Sequence, residues 1–316
     1  MTQVRVQPDD VRYIKLGPGG GWWPRCYERS ELHFGFEDEP HDEAAAGNWD
    51  ATWKRWFAIR KSEKEASQDT REIKDFYTLG RNSLWVTLEA GYLWWAFAEP
   101  EVYLTDEGET ATCGARYRKV IGGWSNHSVG GRLLAARNIS GRLTKLAGYR
   151  RTICKVWEKS YLIRLLNDEP DPDVVAVTEA ENNLKASLLR LVQKLTWQDF
   201  EVLTDLIFAR GGWRRVTELG RHQKSIDLEI DHPATAERAL VQVKSSAGQF
   251  ELNSFVSACA TRSDVRHIFF VCHTPFAALQ PVATASHQVL HVWSGMSLSN
   301  AVLEAGLVHW LRDRCS

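Results

Sequence analysis

Residues 225–246 read Ser225-Ile226-Asp227-Leu228-Glu229-Ile230, then Asp231-His232-Pro233-Ala234-Thr235-Ala236-Glu237-Arg238, then Ala239-Leu240-Val241-Gln242-Val243-Lys244-Ser245-Ser246. Ile226, Leu228 and Ile230 alternate with Asp227, Glu229 and Asp231, and Val241 and Val243 alternate with Gln242 and Lys244. A period of two places each polar set on one face of a strand. Pro233 and its small polar neighbours are turn chemistry, so the stretch predicts a hairpin. One face then carries Asp227, Gln242 and Lys244 together. A carboxylate, an amide and an ammonium on one face can hold a divalent metal and a water beside a phosphodiester.

Alternation alone describes any half-solvated strand, and Gln-Val-Lys by itself is not a catalytic motif. The surroundings add to it. A helix carrying an acid precedes the hairpin, and an apolar strand at residues 268–271 follows it through a helical stretch. There is room for one more strand near residues 215–219. From about Leu195 to Trp310 the chain resembles the PD-(D/E)XK nuclease fold, in its Mrr-like restriction endonuclease branch. The residues that carry the resemblance are Phe200-Glu201, Gly211-Gly212-Trp213, Ile226-Asp227-Leu228 and Val241-Gln242-Val243-Lys244. It implies a Mg2+-dependent endodeoxyribonuclease. Asp227, Gln242, Lys244 and Glu201 would be catalytic, and Asp227, Glu201 and the Gln242 side chain or Val243 carbonyl would meet the metal. Gln242 stands where the wider family has Asp or Glu, which removes one ligating charge.

The chain has 316 residues, enough for about two domains, and is 44% hydrophobic, an ordinary globular value. A net charge of -1 says little about partners, because the charge is unevenly placed. No run of about 18 apolar residues is present, so no membrane span is expected. The first ten residues lack an apolar signal core. Six scattered cysteines form no Cys-x-x-Cys, so neither zinc nor a disulfide framework is expected, and a reducing cytoplasm fits. His267, Cys272 and His273 are expected to be packing residues.

Tryptophan is the unusual feature, with 14 in the chain and nine of them by Trp124. Each supplies a large flat face and one donor. Trp53 and Trp56 sit at helical spacing and are expected in a core. Trp22 and Trp23 follow Gly17-Pro18-Gly19-Gly20-Gly21, a turn that brings rings close to a flat ligand. It is not a phosphate loop, because no Gly-Lys-Ser/Thr follows. Strands at 12–16, 32–36, 83–89, 92–98, 102–104 and 116–121, with helices at 48–59 and 68–79, predict a small barrel. Tyr13-Ile14-Lys15-Leu16-Gly17, Ser83-Leu84-Trp85-Val86 and Arg116-Tyr117-Arg118-Lys119-Val120 resemble the EVE-like members of the PUA superfamily. That resemblance implies a reader of modified bases with an aromatic pocket. Trp22, Trp23, Trp95 and Trp124 are the candidates, and Ser125 and Asn126 could give edge hydrogen bonds. In the hairpin, Trp85 and Trp95 are expected on one face and Trp94 on the other.

Residues 116–164 hold twelve Lys or Arg against one acid, whereas residues 37–50 hold six acids and no Lys or Arg. A basic block interleaved with Tyr117, Trp124 and Tyr149 is a footprint for nucleic acid. Arg116, Arg118, Lys119, Arg142, Lys145, Arg150 and Arg151 are its candidate backbone contacts.

The expected fold is an α+β PUA/EVE-like small β-barrel at residues 1–157, a helical connector at 158–194, and an α/β PD-(D/E)XK domain at 195–316 whose mixed sheet is flanked by helices. The acidic, proline-containing piece at 167–173 reads as the linker. Thr196-Trp197-Gln198-Asp199 reads as a capping box that opens the helix carrying Glu201. Two functional classes fit. One is a type IV, modification-dependent restriction endonuclease acting on double-stranded DNA that carries a modified base. A double-strand cut would then need two chains, as in a homodimer, or two events. The other is a non-catalytic reader with a degenerate nuclease domain, which Gln242 favours and the intact Asp227 and Lys244 oppose.

Overall fold

The computed structural model describes residues 5–106, 108–216, 226–280 and 282–316. The chain divides into two compact units, Met1–Pro172 and Asp173–Ser316.

In the first unit the elements are β1 (Asp10–Ile14), α1 (Trp23–Arg29), β2 (Glu31–Phe34), α2 (His41–Ala45), α3 (Trp49–Arg60), α4 (Glu63–Thr78), β3 (Ser83–Glu89), β4 (Tyr92–Ala98), β5 (Tyr103–Leu104), α5 (Thr110–Cys113), β6 (Arg116–Ser125), α6 (Gly141–Thr144), β7 (Ile153–Lys155) and α7 (Lys159–Leu166). The strand order is β2-β6-β4-β3-β1-β7, with β5 also on β6. Strands β1 and β3 run parallel. Among the described residues β2 and β7 do not pair, so the sheet is open where a closed barrel was expected. Strand β6 runs past Ile121 to Ser125. Gly122 and Gly123 have φ of 72° and 84°, and there the register against β4 shifts. A left-handed glycine pair inserts a bulge and bends the sheet.

The sheet is covered on both faces. One core joins Ile14, Phe34, Trp85, Ala96 and Trp124 to Trp56 of α3 and Ile73 and Phe76 of α4. The other joins Val11, Tyr13, Leu84, Val86 and Leu93 to Leu162 and Leu166 of α7. Helix α4 buries Ala66, Asp69, Glu72, Ile73 and Phe76, the i, i+3, i+4 stripe of an amphipathic helix. Two acids lie in that stripe because each is partnered. Asp69 takes Arg60 and Arg151, and Glu72 accepts the backbone N–H groups of Thr152 and Ile153 at 3.1 and 3.2 Å.

The second unit is built from α8 (Pro172–Val192), α9 (Trp197–Arg210), β8 (Arg214–Arg215), β9 (Leu228–His232), β10 (Glu237–Ala247), α10 (Gln249–Cys259), β11 (His267–Pro275), β12 (Val289–Ser294), α11 (Met296–Glu304) and α12 (Val308–Arg314). Its sheet order is β12-β11-β10-β9-β8. Strands β8, β9 and β10 are antiparallel, and β10, β11 and β12 are parallel. This is the expected mixed sheet with flanking helices. Of the extra strand expected near residues 215–219, β8 supplies the start, and residues 217–219, like Ser225, lie outside the described residues. Helices α9, α11 and α12 pack on the face of Val241, Val243 and Val271. Helix α10 packs on the opposite face, against Leu240, Ile268 and Phe270.

The expected connector divides between the units. Leu162 and Leu166 of α7 join the first unit's core, whereas Leu188 and Val192 of α8 join the second's. Pro172 opens α8, where its missing N–H is harmless and its fixed φ already suits a helix. Thr196 caps α9 as expected, accepting from the Asp199 N–H at 3.2 Å.

Candidate active site

The β9–β10 hairpin pairs Leu228 with Val241 and His232 with Glu237. Leu228, Ile230, Val241 and Val243 all enter the core under α9. Alternation therefore turns Asp227, Gln242 and Lys244 to the other face, as the sequence predicts. The ladder ends at Asp227, whose N–H donates to the Val241 carbonyl at 3.0 Å. Two residues further along β10 the ladder with β9 offers no partner. There the Asp227 carboxylate takes over, with Oδ2 accepting the Val243 N–H at 2.7 Å. Because the N–H and C=O of one residue point to the same side of an antiparallel strand, the Val243 carbonyl lies on the Asp227 side as well.

Gln242 is 5% exposed, and its amide has no hydrogen-bond partner among the described residues. The amide is not among the polar atoms sealed from solvent without a partner, so its tip reaches the surface beside Asp227 and Lys244. Asp227, the Gln242 amide and the Val243 carbonyl are hard oxygen donors of the kind that suits Mg2+. Among the described residues no three His, Cys, Asp or Glu side chains group as a metal cluster. The donor set is thus poorer in charge than paired carboxylates would make it.

Lys244 is half-buried and makes no ion pair among the described residues. Its charge reaches Glu251, in the first turn of α10. Glu251 accepts the Gly248 N–H at 2.8 Å. That backbone bond, with a smaller contribution from the Lys244 charge, holds its carboxyl below the usual range. Sequence reading missed Glu251, which lies in the helical stretch after the hairpin. The signal was the Gly248-to-Glu251 spacing, that of an N-cap and its third helical residue.

Glu201 sits on α9 beside Phe200, and α9 packs on the Val241–Val243 face. It is half-buried. Phe200 meets His273 edge-on, with ring centroids 4.6 Å apart. Burial lowers the His273 pKa. His267 Nδ1 lies 3.0 Å from His291 Nε2, so His267 packs along the sheet as expected.

In the first unit the expected nucleic-acid residues separate into distinct groups. Arg116 and Arg118 are 1% and 0% exposed, which removes them as backbone contacts. Arg116 donates to the carbonyls of Phe36 and Glu39 and to the Tyr77 hydroxyl. Arg118 donates to the carbonyls of Glu99, Phe76 and Ala98, and desolvation lowers its pKa to about 10. Arg116 ties the loop after β2 to the sheet, and Arg118 ties the end of α4 to the end of β4. Arg151 is half-buried on Asp69, while Lys119, Arg142, Lys145 and Arg150 are exposed.

The tryptophans also separate. Trp85 pairs with Ala96 and Thr87 with Trp94, so Trp85 and Trp94 share a face. Trp95 faces the other core, which corrects the expected pairing of Trp85 with Trp95. Trp95 therefore cannot line one pocket with Trp22, Trp23 and Trp124. Trp23 packs with Trp94, Trp124 and Tyr27, at centroid distances of 4.7, 5.7 and 5.6 Å. Trp124 is 7% exposed and donates to the Glu31 carbonyl. The Ser125 hydroxyl is taken up by His127 in a local turn, and Asn126 is half-buried. Trp22 of the expected set lines a sizeable cavity.

Residues 192–301 match the family model described as restriction endonuclease, of the Mrr catalytic type. The match spans Glu201, Asp227, Gln242, Val243 and Lys244. Among solved structures, the MspJI restriction endonuclease in complex with a 27-mer oligonucleotide is similar at 14% identity and a TM-score of 0.30, over 79% of this chain and 69% of that one. No curated protein matches the chain. Among the described residues no helix is long and apolar enough to cross a membrane. The second unit carries a restriction endonuclease domain of the Mrr type.

Proposed function

We propose that the chain is a modification-dependent endonuclease of the type IV kind, acting on double-stranded DNA in the cytoplasm. The observation that carries this reading is the meeting of Asp227, the unpartnered amide of Gln242 and the unpaired Lys244 at the end of the β9–β10 ladder. Asp227, the Gln242 side chain and the Val243 carbonyl would hold Mg2+, whereas Glu201 is carried by α9, which packs on the opposite face of the sheet. The ion, when bound, would supply Lewis acidity and a more acidic water. Lys244 would orient the attacking water and offset charge that builds on the phosphate oxygens. Asp227, already fixed by the Val243 N–H, would be held ready to accept charge without reorganising.

The first unit would be the sensor, a PUA-superfamily, EVE-like reader that takes a base out of the stack. Its aromatic content and exposed basic residues support this. Cutting both strands would use two chains or two successive events, and the biological setting would be defence against phage DNA with modified cytosine. A non-catalytic reader is the second reading, and Gln242 in place of an acid favours it. A cleavage panel separates the two. DNAs with unmodified, methylated, hydroxymethylated or glucosylated cytosine are incubated with and without Mg2+. Metal-dependent cutting of one modified DNA supports the enzyme. Binding without cutting on every DNA supports the reader.

A further inference from the structure

One cavity of the first unit lies outside the aromatic cluster of Trp23, Trp94 and Trp124. It holds about 600 Å³ and lies between the turn after β1, the loop after β2 and the end of α3. Trp22, Phe36 and Trp56 give it aromatic walls, Glu37 and Asp38 stand on one side, and Arg150 and Arg151 on another. The volume falls in the range of small-ligand sites.

Each wall is held from behind. The Trp22 indole lies so close to Gly17 and Gly114 that an added Cβ would come within 2.6 and 2.8 Å of its ring. Phe36 has φ of 66°, a left-handed backbone uncommon for a residue with a bulky side chain. Arg116 holds it there by donating to the Phe36 and Glu39 carbonyls at 2.7 and 2.9 Å. Trp56 meets Phe36 edge-on at 4.9 Å, and its Nε1–H donates at 2.9 Å to Glu39, which is 2% exposed. Arg60 and Arg151 converge on Asp69, which is 1% exposed. A strained residue kept in place by a buried cation is a feature of binding sites rather than of efficient folding.

The polar groups then select a ligand. Glu37 and Asp38 are exposed acids without a hydrogen-bond partner among the described residues. A carboxylate only accepts, so it suits a base edge that presents an amino group, as cytosine and adenine do. Thymine has a carbonyl at the position of that amino group and loses the bond. Arg150 is exposed and unpaired among the described residues, which leaves it for a phosphate.

We propose that this cavity takes a flipped nucleotide whose base carries an exocyclic amino group, the ring among Trp22, Phe36 and Trp56, the amino edge on Glu37 and Asp38, and the phosphate on Arg150. The proposal deepens the sensor reading and rests on it for the flipping itself.

The test uses the full chain and short duplexes with one central target base opposite an abasic site, so that little pairing has to be broken. Fluorescence anisotropy should rank cytosine and adenine about tenfold above thymine. Glu37→Ala with Asp38→Ala, both on an exposed loop, should erase that ranking. Ile59→Trp should block the cavity and weaken all three duplexes to the affinity of one without a target base, since Ile59 lines the cavity and is 45% exposed. Thymine bound as tightly as cytosine, or a wild-type ranking kept by both variants, overturns the proposal. The sensor reading fails differently. A protein that ranks the bases as stated, yet binds plain and modified cytosine alike, retains this cavity and loses modification dependence.

Discussion

Asp227 Oδ2 accepts the Val243 N–H at 2.7 Å, so the acid expected to meet the metal also ends the β9–β10 ladder. The two roles come apart by substitution. In Asp227→Asn the amide oxygen still accepts that N–H while the charge is gone, so folding should persist and cleavage should be lost. Asp227→Ala removes the acceptor as well and should cost about 1–3 kcal/mol. Thermal melts beside plasmid cleavage check both. An Asn variant that cuts at the wild-type rate removes Asp227 from the chemistry.

Gln242 makes a sharper case. Its side chain is buried at 5% exposure and unpartnered among the described residues. Leu has a similar volume and needs no partner. Gln242→Leu should therefore melt close to the wild-type temperature and lose cleavage. A stable variant that still cuts makes Gln242 a packing residue. Gln242→Glu adds the missing charge and should lower the Mg2+ concentration needed for half-maximal cutting.

Charge in the first unit gives opposite outcomes for neighbouring arginines. Arg150 and Lys145 are exposed, so replacing both with Ala should flatten log K against log salt by about 0.9 for each phosphate no longer neutralised. Arg118 has no exposure and serves three carbonyls. Arg118→Ala should destabilise the unit by roughly 3 kcal/mol or more, as removal of charged buried hydrogen bonds does. Its salt slope should stay unchanged wherever it folds. A flattened slope for Arg118→Ala would put DNA where the core is.

These contrasts show what the sequence could and could not display. The hairpin at residues 83–98 was legible because Ala90 and Gly91 make a tight turn, and the face of Asp227, Gln242 and Lys244 was legible through period two. The pairing of Trp85 with Ala96 was also within reach. A two-residue turn sets Glu89 against Tyr92, and the rest of the register follows. Arg116 and Arg118 were not legible as buried residues. Basic side chains in a strand next to aromatics suit DNA as well as carbonyls, and only the fold shows that backbone carbonyls reach them first. The open sheet was hidden for a similar reason, because closure depends on whether β2 and β7 meet, and neither strand's own residues encode that.

The last prediction concerns pH. Glu72 is buried on α4, accepts the Thr152 and Ile153 N–H groups, and takes a hydrogen bond from the Tyr149 hydroxyl. Burial dominates those bonds and raises its pKa from 4.5 to about 7. Between these values the unfolded chain has lost the proton that the folded chain keeps. The stability it gives is full below about pH 4.5 and is lost as pH rises through about 7, roughly 3 kcal/mol in all by the linkage relation. Gln cannot ionise, yet its oxygen still accepts a backbone N–H. Glu72→Gln should therefore match wild type near pH 5 and be the more stable protein at pH 8. The same residue holds the backbone next to Arg151, a wall of the proposed nucleotide cavity. Thermal melts across pH 5 to 8 decide it. Parallel curves for the two proteins would mean that Glu72 stays ionised in the fold, held so by the two backbone N–H groups.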